Sequence, residues 1–172
     1  MPKFRLKNTS NTYVSSSDVM GIRGLVVLFT CNHCPYAIAL WNRIINDYQF
    51  IQKCGFNLIA INPNNNPDYP DDSFENMVHL VNQKNIPFEY LWDESQVTAK
   101  AYDAQCTPDI FMLNNSYELI YRGAYDDNWK SEEDVRNRYV LEVAKIIMSG
   151  TTVPKDFGQP SMGCSIKWVR KN

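Results

Sequence analysis

No run of apolar residues in this sequence is long enough to cross a bilayer, which takes about 20 such residues in succession. Nor is there a surplus of basic charge: Lys and Arg number 17 against 19 Asp and Glu, a formal net charge of −2. Without a basic patch the chain has nothing to draw nucleic acid or an anionic membrane. Lys3, Arg5 and Lys7 are followed by the polar stretch Asn8 to Asp18 rather than by an apolar core and a cleavage signature, so a secretory leader is not expected. The expected location is the cytoplasm, where a Cys-x-x-Cys is more often catalytic or metal-binding than a structural staple. Internal repeats and low-complexity tracts are absent as well. Glycine is scarce, 7 residues in all, and the polar loop Asn62 to Pro70 carries proline instead, making it a stiff connection rather than a loose linker.

With 172 residues, 44% of them hydrophobic and 13% aromatic, the chain can bury one core without a disulfide. A single domain over 1–172 is therefore expected. Strand-like and helix-like patterns alternate, which argues for an α/β domain with a largely parallel sheet. Phe4 to Lys7 and Thr12 to Val14 suggest a short hairpin within an N-terminal extension, residues 1–20. Leu25 to Phe29 and Phe56 to Ile61 are strong strands. Between them Trp41, Ile44, Ile45, Tyr48 and Ile51 form a helical stripe that ends before Gly55. Ser73 caps a helix carrying Phe74, Met77, Val78 and Val81, which Pro87 stops. Phe88 to Leu91 suggests a strand and Glu94 to Tyr102 a short helix. Asp109 to Leu113, Asn114-Asn115 and Glu118 to Arg122 form a hairpin pattern. A last helix is expected from Ser131, with Asp134 three residues on, to Met148, and residues 151–172 are expected to pack on the domain as a tail.

The chemistry-bearing motif is Cys31-Asn32-His33-Cys34, between the strand Leu25 to Phe29 and the following helix. Two thiols so spaced can close a small disulfide ring, and the unpaired N–H groups of a helix N-terminus favour a thiolate. The same spacing can grip zinc, but a zinc site usually brings a second such pair. Here the other three cysteines, Cys54, Cys106 and Cys164, stand singly. Redox chemistry is the expected use.

The element order, with Cys31-Asn32-His33-Cys34-Pro35-Tyr36, Cys106-Thr107-Pro108-Asp109, Tyr121-Arg122-Gly123 and Gly163-Cys164-Ser165-Ile166-Lys167-Trp168, resembles the thioredoxin-like fold. It is similar in particular to a peroxiredoxin-like subgroup, related to alkyl hydroperoxide reductase and thiol-specific antioxidant proteins. The resemblance implies a central mixed sheet flanked by helices, with an extra strand–helix unit ahead of the proline and the short N-terminal hairpin. It implies a cis bond at Pro108, with Thr107 and Pro108 as the edge on which an extended substrate docks, beside Pro35. It also implies thiol–disulfide exchange on protein or small-thiol disulfides. Electrons would come from a cellular thiol reductant, with no bound organic cofactor.

By analogy with thioredoxin, Cys31 is the expected nucleophile and Cys34 the resolving thiol, with His33 able to stabilise a thiolate. In the other register Cys34-Pro35-Tyr36-Ala37 resembles a glutaredoxin motif, and counting from Phe29 gives Cys34 the first position. A peroxiredoxin-like peroxidase is the enzymatic alternative, although neither register supplies the Pro-x-x-x-Thr/Ser-x-x-Cys motif; Cys31 stands where the hydroxyl would be. The non-enzymatic alternative is a metal-binding or redox-sensing module of Cys31, Cys34 and Cys106. Cys106 and Cys164 are a possible second redox pair, against the plain reading of small buried hydrophobes, which we accept for Cys54. Asp103, Asp109, Asp126 and Asp127 match no calcium loop and are expected in solvated turns.

Overall fold

A computed structural model describes residues 1–169. In chain order it contains β1 (Arg5–Asn8), β2 (Tyr13–Ser15), β3 (Gly24–Phe29), α1 (Pro35–Lys53), β4 (Phe56–Asn62), α2 (Phe74–Lys84), β5 (Tyr90–Trp92), α3 (Val97–Ala101), β6 (Cys106–Thr107), β7 (Asp109–Asn114), β8 (Leu119–Gly123), α4 (Tyr139–Met148) and β9 (Cys164–Ser165). Seven strands form one sheet in the order β2-β1-β5-β4-β3-β7-β8, and β6 pairs with β9 separately. The sheet is mixed: β3–β4 and β4–β5 are parallel, while the pairings of β1 and β7 are antiparallel. The expected predominance of parallel pairing holds only at the centre, because hairpins close both edges.

All six residues of β3 are buried, as a strand covered on both faces requires. Their alternation still sorts them. Val26 and Leu28 join Trp41 and Ile44 of α1 and Val140 and Val143 of α4 on one face. Leu25, Val27 and Phe29 join Phe4, Ala99 and Tyr102 on the other. There Phe29, Tyr102 and Phe111 meet edge to face with centroids 5.4 to 5.6 Å apart. Burying a large apolar side chain this completely contributes about 1.5–3 kcal/mol. These two layers hold the ends of β3 and α1, and therefore the turn between them, in fixed relation.

α2 starts as expected, with Ser73 Oγ accepting from Asn76 N at 3.3 Å. It ends at Lys84, where Asn85 turns left-handed (φ 49°), two residues ahead of Pro87. α4 differs from expectation: it begins at Tyr139, not near Ser131. The Asp127 carboxylate takes the backbone N–H groups of Arg136 and Asn137 at 3.0 and 3.1 Å, and Asn128 takes that of Ser131 at 3.0 Å. Donors that would open a helix are spent on side chains, and residues 131–138 follow an irregular path.

Two of the aspartates expected in solvated turns are buried. Asp126 is 6% exposed and pairs with Arg43 at 2.6 Å, and Asp109, 1% exposed, pairs with Arg122 at 3.1 Å. Arg43 also donates to the carbonyls of Asn128 and Trp129. This holds Trp129 against Tyr36, ring centroids 4.0 Å apart, beside the cysteine turn.

Candidate active site

Cys34 is the N-cap of α1 and Pro35, exposed, is its first residue. Proline suits that place because its missing N–H would have no partner there. The turn ahead of the helix is set by Asp72, a residue that the sequence reading missed. Its carboxylate, 1% exposed, accepts from Asn32 N (2.8 Å), His33 N (3.2 Å), His33 Nδ1 (2.7 Å) and Asn64 Nδ2 (2.6 Å). Tyr90 OH donates to Asn32 Oδ1 at 2.8 Å, and the His33 ring stacks on Tyr69. Only the position of Asp72, just before a capping serine, distinguishes it in the sequence, and that says nothing about the cysteines.

The Thr107–Pro108 bond is cis, and Thr107 is fully buried against both cysteines. Its hydroxyl lies 3.2 Å from Cys31 Sγ and its carbonyl 3.1 Å from Cys34 Sγ. The docking edge is not free: β9 lies along it, with Thr107 opposite Cys164 and Cys106 opposite Ser165. That register brings Cys164 Sγ to 2.7 Å from Cys34 Sγ. Three thiols, of Cys31, Cys34 and Cys164, thus meet at one point. Cys106 belongs elsewhere. Neighbouring residues of a strand face opposite ways, so Cys106 turns from the cluster. Its thiol donates to Pro108 O at 3.3 Å, and it lines a cavity of about 460 Å³ with Asp109, Arg122 and Lys155. Cys54 is buried at the end of α1.

The electrostatics separate the four thiols near the cis peptide. The neighbouring Cys31 thiol, with smaller help from Cys164 and the backbone of Ala37, outweighs burial to hold Cys34 down at about 4. The Thr107 carbonyl opposes this, since an acceptor favours S–H, but one carbonyl faces several donors. Cys31 moves the other way, pushed well above the free-thiol range by its bond to Cys34, by burial and by Asp72. Burial raises Cys164 to about 11, with the Cys34 charge adding to it and Lys167 offsetting part. Burial likewise raises Cys106 to about 12. The direction of these shifts favours a thiolate on Cys34 over one on Cys31, the second of the two registers that the sequence left open.

Cys31, His33 and Asp72 offer ligand atoms within 4.8 Å of one another. Both Asp72 oxygens are, however, already shared among four donors, one of them His33 itself. The trio works as a scaffold for the turn. The expected metal set of Cys31, Cys34 and Cys106 is not brought together, because Cys106 faces the other side of β6.

A cysteine at a helix N-terminus, a second thiol three residues earlier and a cis-proline loop across them define a thiol-based redox protein with the thioredoxin-like fold. More particularly, the model of the AhpC/TSA family matches residues 1–142, and the chain belongs to that family. Cys164 lies beyond the matched residues. Among solved structures, the chain is similar to an uncharacterised conserved protein from Geobacillus kaustophilus, at 35% identity over 99% of this chain and 91% of that one, TM-score 0.92. A hypothetical protein from Sinorhizobium meliloti is 28% identical over 99% and 93% of the two chains, TM-score 0.88. A thiol-disulfide oxidoreductase from Bacteroides fragilis, 20% identical over 70% of this chain and 87% of its own, TM-score 0.56, shares the fold. No curated protein matches the chain. Among the described residues no helix is long and apolar enough to cross a membrane.

Proposed function

We propose that the protein is a thiol–disulfide oxidoreductase in which Cys34 is the attacking thiolate and Cys31 its dithiol partner. The observation that carries this reading is the environment of Cys34: a sulfur at the start of a 19-residue helix, in contact with other thiols and with the backbone ahead of a cis-proline. A low thiol pKa supplies both the nucleophile and a good leaving group for exchange. Cys34 attacks one sulfur of a substrate disulfide, the other sulfur departs as a thiolate, and a second cysteine closes on Cys34 to release the first. Substrates are disulfides of proteins or small thiols. Two electrons return from a cellular thiol reductant, and the site needs no organic cofactor for this chemistry.

The peroxidase alternative has less support. A peroxide-cleaving thiolate is served by a hydroxyl and a cation that hold the leaving oxygen. The position three residues ahead of Cys34 is a thiol, and Arg122 is engaged by Asp109 and the Asp103 carbonyl beside Cys106. Turnover of a fluorescent glutathione disulfide under dithiothreitol, run beside hydrogen peroxide turnover, separates the two. The exchange reading expects disulfide turnover that vanishes in Cys34→Ser. Peroxide turnover without disulfide turnover would replace it with the peroxidase reading.

A further inference from the structure

The segment on the docking edge belongs to the chain itself, and it is seated on both sides of its cysteine. Gly163 passes so close to the cis peptide that a Cβ there would fall 2.3 Å from Thr107 O, nearer than any side chain tolerates. After the cysteine, Ile166 is buried in the apolar layer around Phe29. Lys167 N donates to Asn64 Oδ1 at 2.9 Å. Gln96, itself 2% exposed, accepts from Val169 N at 2.9 Å and donates to Lys167 O at 3.0 Å. A short antiparallel pairing with Thr107 alone would be marginal, but these anchors fix its register. The tail therefore holds its cysteine where the sulfur of a bound extended substrate would lie.

We propose that Cys164 is a resolving cysteine of this site, which displaces the substrate sulfur from Cys34 and closes a Cys34–Cys164 disulfide that staples the tail to the start of α1. The inference rests on the reading of Cys34 as the attacking thiolate. From 2.7 Å the two sulfurs need to approach by less than about 1 Å to reach bonding distance. The electrons balance in two displacements. Cys34 S⁻ attacks RS–SR′, the S–S bond breaks, R′S⁻ leaves and Cys34–S–S–R forms. Cys164 S⁻ then attacks Cys34 Sγ, RS⁻ leaves and the Cys34–Cys164 bond forms. The cysteines give up two electrons and two protons, and the two departing thiols take them. A thiol reductant, the class already named, reverses the change.

Cys164 is better placed than Cys31 for the second displacement. Once Cys34 is bonded to substrate its negative charge no longer opposes either thiol. Burial and the Asp72 carboxylate still oppose ionisation of Cys31, which is fully enclosed, and the Thr107 hydroxyl offsets only part of this. Burial at Cys164 is weaker, since the residue is partly exposed, and Lys167 offsets it. Cys31 then serves first as the donor that keeps Cys34 ionised, and second as the partner that takes over the bond to Cys34.

The test uses the full chain. Reduced Cys31→Ser, which keeps a donor at that position, is mixed with one equivalent of glutathione disulfide, quenched in acid and mapped by mass spectrometry without reduction. The expected product is a Cys34–Cys164 linked peptide with both glutathiones released, whereas Cys31→Ser/Cys164→Ser traps glutathione on Cys34. The same mapping of the wild-type chain, which needs no variant to fold, is expected to show the Cys34–Cys164 peptide at the earliest times. Glutathione remaining on Cys34 in Cys31→Ser, with an early wild-type product linked only through Cys31, would overturn the role of Cys164 and leave the exchange reading standing. If Cys34 takes up no glutathione in any of the three proteins, the exchange reading fails and the inference with it.

Discussion

Cys34 and Cys106 both lie against the cis peptide at Pro108, one under the Thr107 carbonyl and the other under that of Pro108. Cys34 has thiol donors around it and a helix beginning at its own backbone, and its sulfur is held at about 4. Cys106 is half-buried next to the Asp109 carboxylate with no helix behind it, and its sulfur is raised to about 12. The contrast teaches that nearness to the cis-proline does not activate a thiol; donors aimed at the sulfur do. Alternation along β6 turns Thr107 toward Cys34 and its neighbour Cys106 away from it.

The widest separation between the two sides is expected from their serine variants. Cys34→Ser should lower disulfide turnover about a thousandfold or more, the scale of losing a nucleophile, while retaining the wild-type circular dichroism. Asp72→Asn comes next and acts through the scaffold. A neutral amide cannot accept from all four donors now served, and stranding buried N–H groups costs about 1–3 kcal/mol. Thermal denaturation should record this as a loss of about 2–4 °C per kcal/mol. A Tm equal to that of wild type would mean that Asp72 does not fix the turn. Gly163→Ala should lift β9 from Thr107 without touching a thiol, so iodoacetamide should modify Cys34 several-fold faster; an unchanged rate would mean the tail does not cover it. The smallest effect is expected at Cys106→Ser, within about twofold of wild-type turnover, as for a substitution away from the reacting atoms. A large loss there would erase the contrast between the two sides.

Much of this arrangement was legible in the sequence because it is local. The period of Trp41, Ile44 and Ile51, the apolar run of β3 and the Ser73 cap each act over a few residues. The Cys31 to Cys34 motif and Thr107-Pro108 were likewise visible as short words. What could not be read was carried by long-range pairing. Asp72 reaches the cysteine turn from some 40 residues away, and Cys164 reaches Cys34 across 130. The sequence reading offered Cys164 to Cys106, whereas the β6–β9 register turns it to Cys34. The start of α4 escaped for a similar reason: Ser131 and Asp134 form a plausible cap, but Asp127 claims the donors first. The choice between Cys31 and Cys34 depended on which sulfur is surrounded by donors, a property of the folded site.

The central claim, that the thiolate is Cys34, is tested most directly by the pH dependence of alkylation, with each cysteine followed separately by peptide mass spectrometry. A thiol whose pKa is lowered on folding stays ionised until the pH falls through the lowered value. Cys34 should therefore be modified at pH 6 at its plateau rate and lose reactivity only near pH 4, where an ordinary thiol would be less than about 1% ionised at pH 6. Cys31, Cys106 and Cys164 should react only in alkaline solution. Modification of Cys31 ahead of Cys34 at pH 6, or a common rise of all four above pH 8, would contradict the account.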